Sequence, residues 1–194
     1  MPNSSNDREF PRVLVVDDEP EVADAYALRL RGPYDVETAY GGEEALETVA
    51  TDEVDVVLLD RHMPGMSGDE VLSVLTERGY YGRVIMVTAI DPGFDVLDMP
   101  FDDYLCKPVE REDVVTAVDH QCTILGYETL GEYFTLESKR SVLRAELPDD
   151  ELRDREEYRD VVGRAERLRD RTRRLLDDPD ELFDTFDAVG REGR

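Results

Sequence analysis

Short apolar runs alternate with stretches of helical spacing through the first two thirds of the chain. Residues 13–17, 34–40, 54–60, 84–88 and 103–106 read as strands, because each is a brief run of branched or aromatic residues bounded by polar or turn-forming ones. Between them, residues 21–30, 43–50 and 69–78 carry apolar side chains at three- and four-residue steps, as in Ala23, Ala27 and Leu30, or Val71, Val74 and Leu75. This alternation predicts an α/β fold built on a doubly wound, five-stranded parallel sheet. One stretch breaks the pattern. Residues 91–100, where a fourth helix belongs, contain Pro92, Gly93 and Pro100, so any helix there is short or irregular.

The last third has a different rhythm. A helix is expected near residues 113–125, and Leu130, Tyr133, Phe134, Leu136, Val142, Leu143 and Leu147 mark a second helical segment, stopped by Pro148. Asp149 and Asp150 can then cap a long helix, in which Tyr158, Val161, Ala165, Leu168, Thr172 and Leu175 recur at alternating steps of three and four. Such a seam is too narrow to bury a helix inside a globule, but it suits packing against one other helix. That partner is either the segment from Leu130 to Leu147, folded back across Pro148, or the same helix of a second molecule, and the short connection favours the antiparallel hairpin. Leu182, Phe183, Phe186 and Val189 suggest a brief last helix after Asp177-Asp178-Pro179.

Charge changes the picture. The 194 residues carry a formal charge of −25; residues 1–124 hold 28 acidic and 9 basic residues, and residues 125–194 hold 20 and 14. Lys107 and Lys139 are the two lysines, every other basic residue being arginine apart from two histidines. A lysine-poor, acid-rich chain of this kind resembles proteins of halophilic archaea, whose cytoplasm shrinks the Debye length to about 3 Å or less and so screens the self-repulsion of the fold. No run approaches the roughly 20 apolar residues that span a bilayer, and the opening residues lack an apolar leader segment. A soluble, cytoplasmic protein is expected, without a membrane partner. Cys106 and Cys122 lack metal-ligand spacing and are expected to be small buried hydrophobes in a reducing compartment.

The candidate chemistry sits at the strand ends. Asp17 and Asp18 follow Val13–Val16, Asp60 follows Val56–Leu59, Thr88 and Ala89 follow the run from Val84 to Val87, and Lys107 with Pro108 follows Tyr104-Leu105-Cys106. Parallel strands deliver such residues to one edge of the sheet, so three carboxylates, a hydroxyl and an ammonium can gather around one point. Crowded carboxylates repel, and a hard divalent cation with oxygen ligands, Mg2+ above all, relieves the crowding while neutralising an incoming phosphoryl group. Lys107 and Thr88 would then meet transition-state charge from other sides. Taken singly, each residue has a plainer reading: Asp17 and Asp18 as a helix cap before Pro20, Asp60 as a solvated loop acid, Lys107 as a surface ion pair. Their joint order at successive strand ends favours phosphoryl transfer.

Over residues 10–125 this set resembles the receiver domain of two-component response regulators: the acidic pair, the acceptor Asp60 followed by Met63-Pro64-Gly65, the Thr-Ala pair and the Lys-Pro pair. The resemblance implies a flavodoxin-like strand order 2-1-3-4-5. It also implies that Asp60 takes phosphate from a sensor histidine kinase, with weak self-phosphorylation and self-dephosphorylation rather than a classical enzyme activity. Asp18, Asp60 and the backbone carbonyl of His62 would hold Mg2+ directly and Asp17 through water, while Lys107 and Thr88 read the phosphorylated state, with Tyr104 as the aromatic switch residue. Ile90 and His62 would flank the path of the hydrolytic water, and the apolar Ile90 implies slow loss of the phosphoryl group. The family's usual dimer face includes the fourth helix, so a homodimer of that kind is tied to how residues 91–100 fold.

Residues 126–190 resemble the HalX domain that follows receivers in haloarchaeal response regulators, on the strength of Tyr133-Phe134, Ser138-Lys139-Arg140 and the charged helix after Pro148. The implied function is a phosphorylation-switched signalling protein whose C-terminal α-helical appendage regulates transcription through a partner, the transcription machinery or self-association. The alternative is a transcription factor that binds DNA directly. Arg164, Arg167, Arg169, Arg171, Arg173 and Arg174 invite that reading, but they alternate with acids and no helix-turn-helix pattern is evident. A phosphatase on the same architecture is disfavoured, because no second acid/base group accompanies the receiver set.

Overall fold

The computed structural model describes residues 10–89 and 92–192. These fall into two compact units, one covering Phe10–Cys122 and the other beginning at Thr123.

In the first unit, β1 (Arg12–Val16), β2 (Asp35–Ala39), β3 (Val56–Leu59), β4 (Arg83–Thr88) and β5 (Asp103–Cys106) form one parallel sheet in the order β2-β1-β3-β4-β5. The expected topology is therefore present. Strands β1 and β3 are buried along almost their whole length, as a sheet covered on both faces requires, which explains their unbroken Val and Leu runs. Helices α1 (Pro20–Leu30), α2 (Gly42–Thr51) and α3 (Gly68–Glu77) are the expected crossovers. Val71, Leu72 and Leu75 of α3 pack with Leu14, Val57, Leu59 and Met86 in a core cluster. A short 3-10 helix, Phe94–Asp98, stands where a regular fourth helix belongs, and it leaves Phe94 and Leu97 exposed. Ile90, to which slow loss of the phosphoryl group is attached, lies outside the described residues. Both cysteines are free, but only Cys122 is buried; Cys106, the last residue of β5, is exposed, contrary to expectation. It ends a strand bordered by β4 alone, so it lacks the cover that buries the central strands.

Two helices expected on either side of residue 126 are one. Helix α4 runs unbroken from Arg111 to Glu146, its residues through Cys122 belonging to the first unit and the rest to the second. It holds no proline. Gly126 is needed within it, because a Cβ there would lie 2.5 Å from a methyl of Leu176. The opposite correction applies after Pro148. The expected long helix is split into α5 (Asp149–Asp154) and α6 (Glu156–Leu175) by Arg155, whose backbone is extended at φ −86° and ψ 125°. Helix α7 follows as Asp180–Glu192, longer than the brief element expected; the side chain of Val189 lies outside the described set.

Within this second unit, Leu130, Tyr133 and Leu136 of α4 bury against Ala165 and Leu168 of α6, against Leu176 just after α6, and against Phe183 of α7. Tyr133 meets Phe183 edge-on at 5.0 Å, and Phe134 stacks on Phe186 at 4.3 Å. Arg144 donates from Nε to the Tyr158 hydroxyl at 3.0 Å, and Arg164 pairs with Glu132. These pairings run in opposite chain directions, so α4 and α6 form the expected antiparallel hairpin. Val142 and Leu143, expected to mark its apolar side, are exposed instead.

Candidate phosphoacceptor site

Strand register assembles the site. Val16 of β1 stands opposite Leu59 of β3, so the next residues, Asp17 and Asp60, leave the sheet side by side. The Asp60 N–H donates to the Val16 carbonyl at 2.9 Å, and the Asp17 N–H to the Ala39 carbonyl at 3.2 Å. On the other flank Thr88 pairs with Cys106, and the Lys107 N–H extends that ladder to the Thr88 carbonyl at 2.7 Å. Asp17, Asp60 and Thr88 are all buried.

The side chains then converge. The Lys107 Nζ donates to Asp17 Oδ2 and to Asp60 Oδ1, each at 2.6 Å. The second oxygen of each carboxylate is held by backbone: Glu19 N–H on Asp17 Oδ1 at 3.0 Å, and His62 N–H on Asp60 Oδ2 at 2.7 Å. Both acids therefore have fixed orientations, and one ammonium stands between them. Burial pulls the Lys107 pKa down, but its hydrogen bonds to the two carboxylates outweigh that and hold it above the ordinary lysine value.

The loop after Asp60 is braced against α3. Ser67 and Glu70 form a reciprocal capping box, and the Ser67 N–H and hydroxyl hold the Glu70 carboxyl below its usual range. The Gly68 N–H donates to the Arg61 carbonyl at 2.9 Å, and a Cβ on Gly68 would lie 2.2 Å from the carbonyl oxygen of Asp60. Only glycine lets α3 begin so close to that residue. Arg61 adds a forked ion pair to Asp69.

Of the residues singled out from sequence, Asp17, Asp60 and Lys107 are in direct contact, and Thr88 joins them through the β5 ladder. Asp18 is part-buried beside Asp17, and His62 is exposed with its N–H on Asp60. Tyr104 is part-buried, opposite Met86 in the sheet and 5.5 Å from the Phe101 ring. Among the described residues no three His, Cys, Asp or Glu side chains stand together as a metal-ligand set, the two central carboxylates facing the ammonium instead. The donors themselves are hard oxygens, the kind Mg2+ takes, so the residues present fit that ion. What the sequence did not disclose is Arg29, whose Nη1 donates to the Val109 carbonyl at 2.6 Å, two residues beyond Lys107.

A family model described as a response regulator receiver domain matches residues 13–119. The chain belongs to the response regulator receiver family. A HalX domain model matches residues 123–189. A Haloferax volcanii protein named as a transcriptional regulator is 46% identical over 159 residues, 81% of this chain and 27% of that protein. The transcriptional regulatory protein CutR of Streptomyces coelicolor is 40% identical over 111 residues, 55% of this chain and 51% of CutR. The chain thus spans about half or less of the length of these curated relatives. Among solved structures, the receiver domain of a LuxO-type repressor from Vibrio parahaemolyticus matches with TM-score 0.60 and 27% identity, covering 63% of this chain and 98% of that one. The Thermotoga maritima response regulator TrrA, solved with Mg2+ and a beryllofluoride, matches with TM-score 0.53 and 30% identity, covering 58% and 99%. A receiver is a signalling domain rather than a classical enzyme, and this one stands in a response regulator with a HalX region. No helix among the described residues is long and apolar enough to cross a membrane.

Proposed function

We propose that this response regulator receives a phosphoryl group on Asp60 from a sensor histidine kinase and uses it to switch the HalX region, thereby regulating transcription from the cytoplasm. The observation that carries this reading is the Lys107 ammonium held at 2.6 Å from both Asp17 and Asp60. One carboxylate oxygen of Asp60 attacks phosphorus, an acyl phosphate forms, and the P–N bond to the kinase imidazole breaks with its electron pair returning to the ring. The orientation of that carboxylate is fixed by the His62 N–H, which shortens the search for an in-line approach. Lys107 neutralises an oxygen of the transferred group, and the Thr88 hydroxyl donates to another, drawing on Tyr104 as the aromatic reader of the new state. Asp18, Asp60 and the His62 carbonyl are the groups that would hold Mg2+ directly, with Asp17 acting through water. When bound, that ion supplies positive charge for the phosphoryl oxygens. The division of labour places the receiver at residues 10–125 and the output module at 126–190. The test is incubation of the full chain with acetyl phosphate and magnesium in molar potassium chloride, read by intact mass; a chain that gains no phosphoryl group under any magnesium concentration overturns the reading.

Output through a protein partner or a second copy is favoured over direct DNA contact by what the helical arginines already do. Arg164 pairs with Glu132, Arg173 with Asp180, Arg169 and Arg173 lie over the Phe183 ring, and Arg174 is buried. These cations are spent inside the unit rather than aligned for phosphates. Gel shifts against genomic fragments at high salt should therefore stay negative; a sequence-specific shift would favour the DNA-binding alternative.

With a formal charge of −25, the melting temperature should climb steeply from dilute buffer to molar potassium chloride, by on the order of 10 °C or more, as repulsion is screened. A melting temperature that stays flat across that range counts against an intracellular setting rich in salt.

A further inference from the structure

Lys107 ends in a compact charge on a flexible four-carbon stem, so where that charge falls depends on how firmly its own backbone is held. Upstream the backbone is fixed by the ladder bond to Thr88. Downstream comes Pro108, which has no N–H to give, and α4 begins only at Arg111. The intervening turn is held by something else. Arg29, near the end of α1, donates from Nη1 to the Val109 carbonyl at 2.6 Å. Arg111 returns the contact, donating from Nε to the Arg29 carbonyl at 3.0 Å. That carbonyl is one of the last four of α1, which have no partner within their own helix, so the second arginine satisfies a group that would otherwise need water. The Arg29 guanidinium also lies 5.1 Å from the Tyr26 ring, which limits where its fork can point, and Val109 itself is buried.

We propose that Arg29 and Arg111 form a reciprocal guanidinium–carbonyl clasp on the turn that carries Lys107, making Arg29 a positioning residue for the ammonium between Asp17 and Asp60. The inference rests on the phosphoacceptor reading of Asp60. Its physical content is that α1 controls Lys107 twice: the segment leading into the helix carries Asp17, which takes the charge, and the far end grips the backbone two residues beyond it. Each guanidinium brings a charge-assisted hydrogen bond to a carbonyl, the stronger class of such bonds. Loss of either half frees the turn, lets Lys107 sample other rotamers, and reduces the time its charge spends where the transferred group needs it.

The chain has two lysines, so lysine-selective 13C labelling of the full protein in molar potassium chloride gives two side-chain signals to follow, Lys107 and Lys139. In the wild type the Lys107 signal should stand apart from that of the exposed Lys139. Arg29→Gln and Arg111→Gln should each move it toward the Lys139 position and slow acetyl phosphate labelling of Asp60 by about tenfold, the loss of one hydrogen bond of this class. Arg111 is exposed, so its variant decides the matter if Arg29→Gln fails to fold. A Lys107 signal that stays in place, or a wild-type labelling rate with a displaced signal, overturns the positioning role. Asp60→Asn is the control that separates the two readings: if it still takes the label, the acceptor assignment fails, whereas the two-signal spectrum continues to report on the clasp.

Discussion

Asp60→Asn should gain no phosphoryl group where the wild type is modified, while keeping its fold. The first half follows from chemistry. A carboxylate oxygen carries the electron pair that attacks phosphorus, and an amide neither attacks nor supplies the anionic oxygen a magnesium ion takes. The second half follows from the surroundings. The Asn oxygen can still accept the His62 N–H that now meets Asp60 Oδ2 at 2.7 Å, and Lys107 keeps Asp17 as a partner at 2.6 Å. Removing one partner from a buried ion pair costs about 3–5 kcal/mol when the other charge is left alone. Here it is not left alone, and Lys107 keeps a fifth of its side chain in water, so the cost should be well below that range. Intact mass after acetyl phosphate treatment and a thermal melt at the same salt concentration check both halves; a labelled Asn variant would falsify the acceptor assignment.

Leu168→Asp should dismantle the helical unit. Leu168 is buried in one cluster with Leu130, Tyr133, Leu136, Leu176 and Phe183. Truncating a buried Leu costs about 2–5 kcal/mol, and a carboxylate adds the penalty of burying a charge without a partner. The sum is comparable with the whole stability expected of so small a unit. Loss of helical circular dichroism and rapid proteolysis beyond residue 122 are expected in molar salt, with Asp60 still accepting phosphate, since no residue of that cluster belongs to the unit that holds Asp60. A variant with native helicity and protease resistance would mean that the seam contributes little to the hairpin.

The sheet was legible because buried parallel strands demand continuous apolar runs, and those runs end where the reactive residues begin: Val16 before Asp17, Leu59 before Asp60. Contacts that depend on register were less so. That Lys107 would lie equally close to Asp17 and Asp60 follows from how β4 and β5 are staggered, which no local pattern records. The Arg29 bond to Val109 spans 80 residues of sequence and goes to a main-chain oxygen, which leaves no trace in residue type. In the helical region, Gly126 looks like a weak point and is instead the place where Leu176 comes close, so the helix continues through it. Arg155 is the converse: a good helix former between Asp154 and Glu156 that is nevertheless extended, with Leu152 buried on one side and the α6 seam starting on the other. At Gly126 tertiary packing outweighs propensity.

The ammonium between Asp17 and Asp60 has one more consequence for a chain this acidic. Most of the surplus negative charge sits in water, where dissolved potassium must neutralise it and where dilution strips that neutralisation away. The reactive centre is different. One of its compensating charges, the Lys107 ammonium, is covalently attached, so its local concentration does not fall when the medium is diluted, and that part of the charge balance is a property of the polypeptide rather than of the brine. The fold draws on ions exchanged with the surroundings, whereas the acceptor pocket carries one cation along with the chain, which offsets one of its two central carboxylates through changes in salinity that the rest of the surface feels.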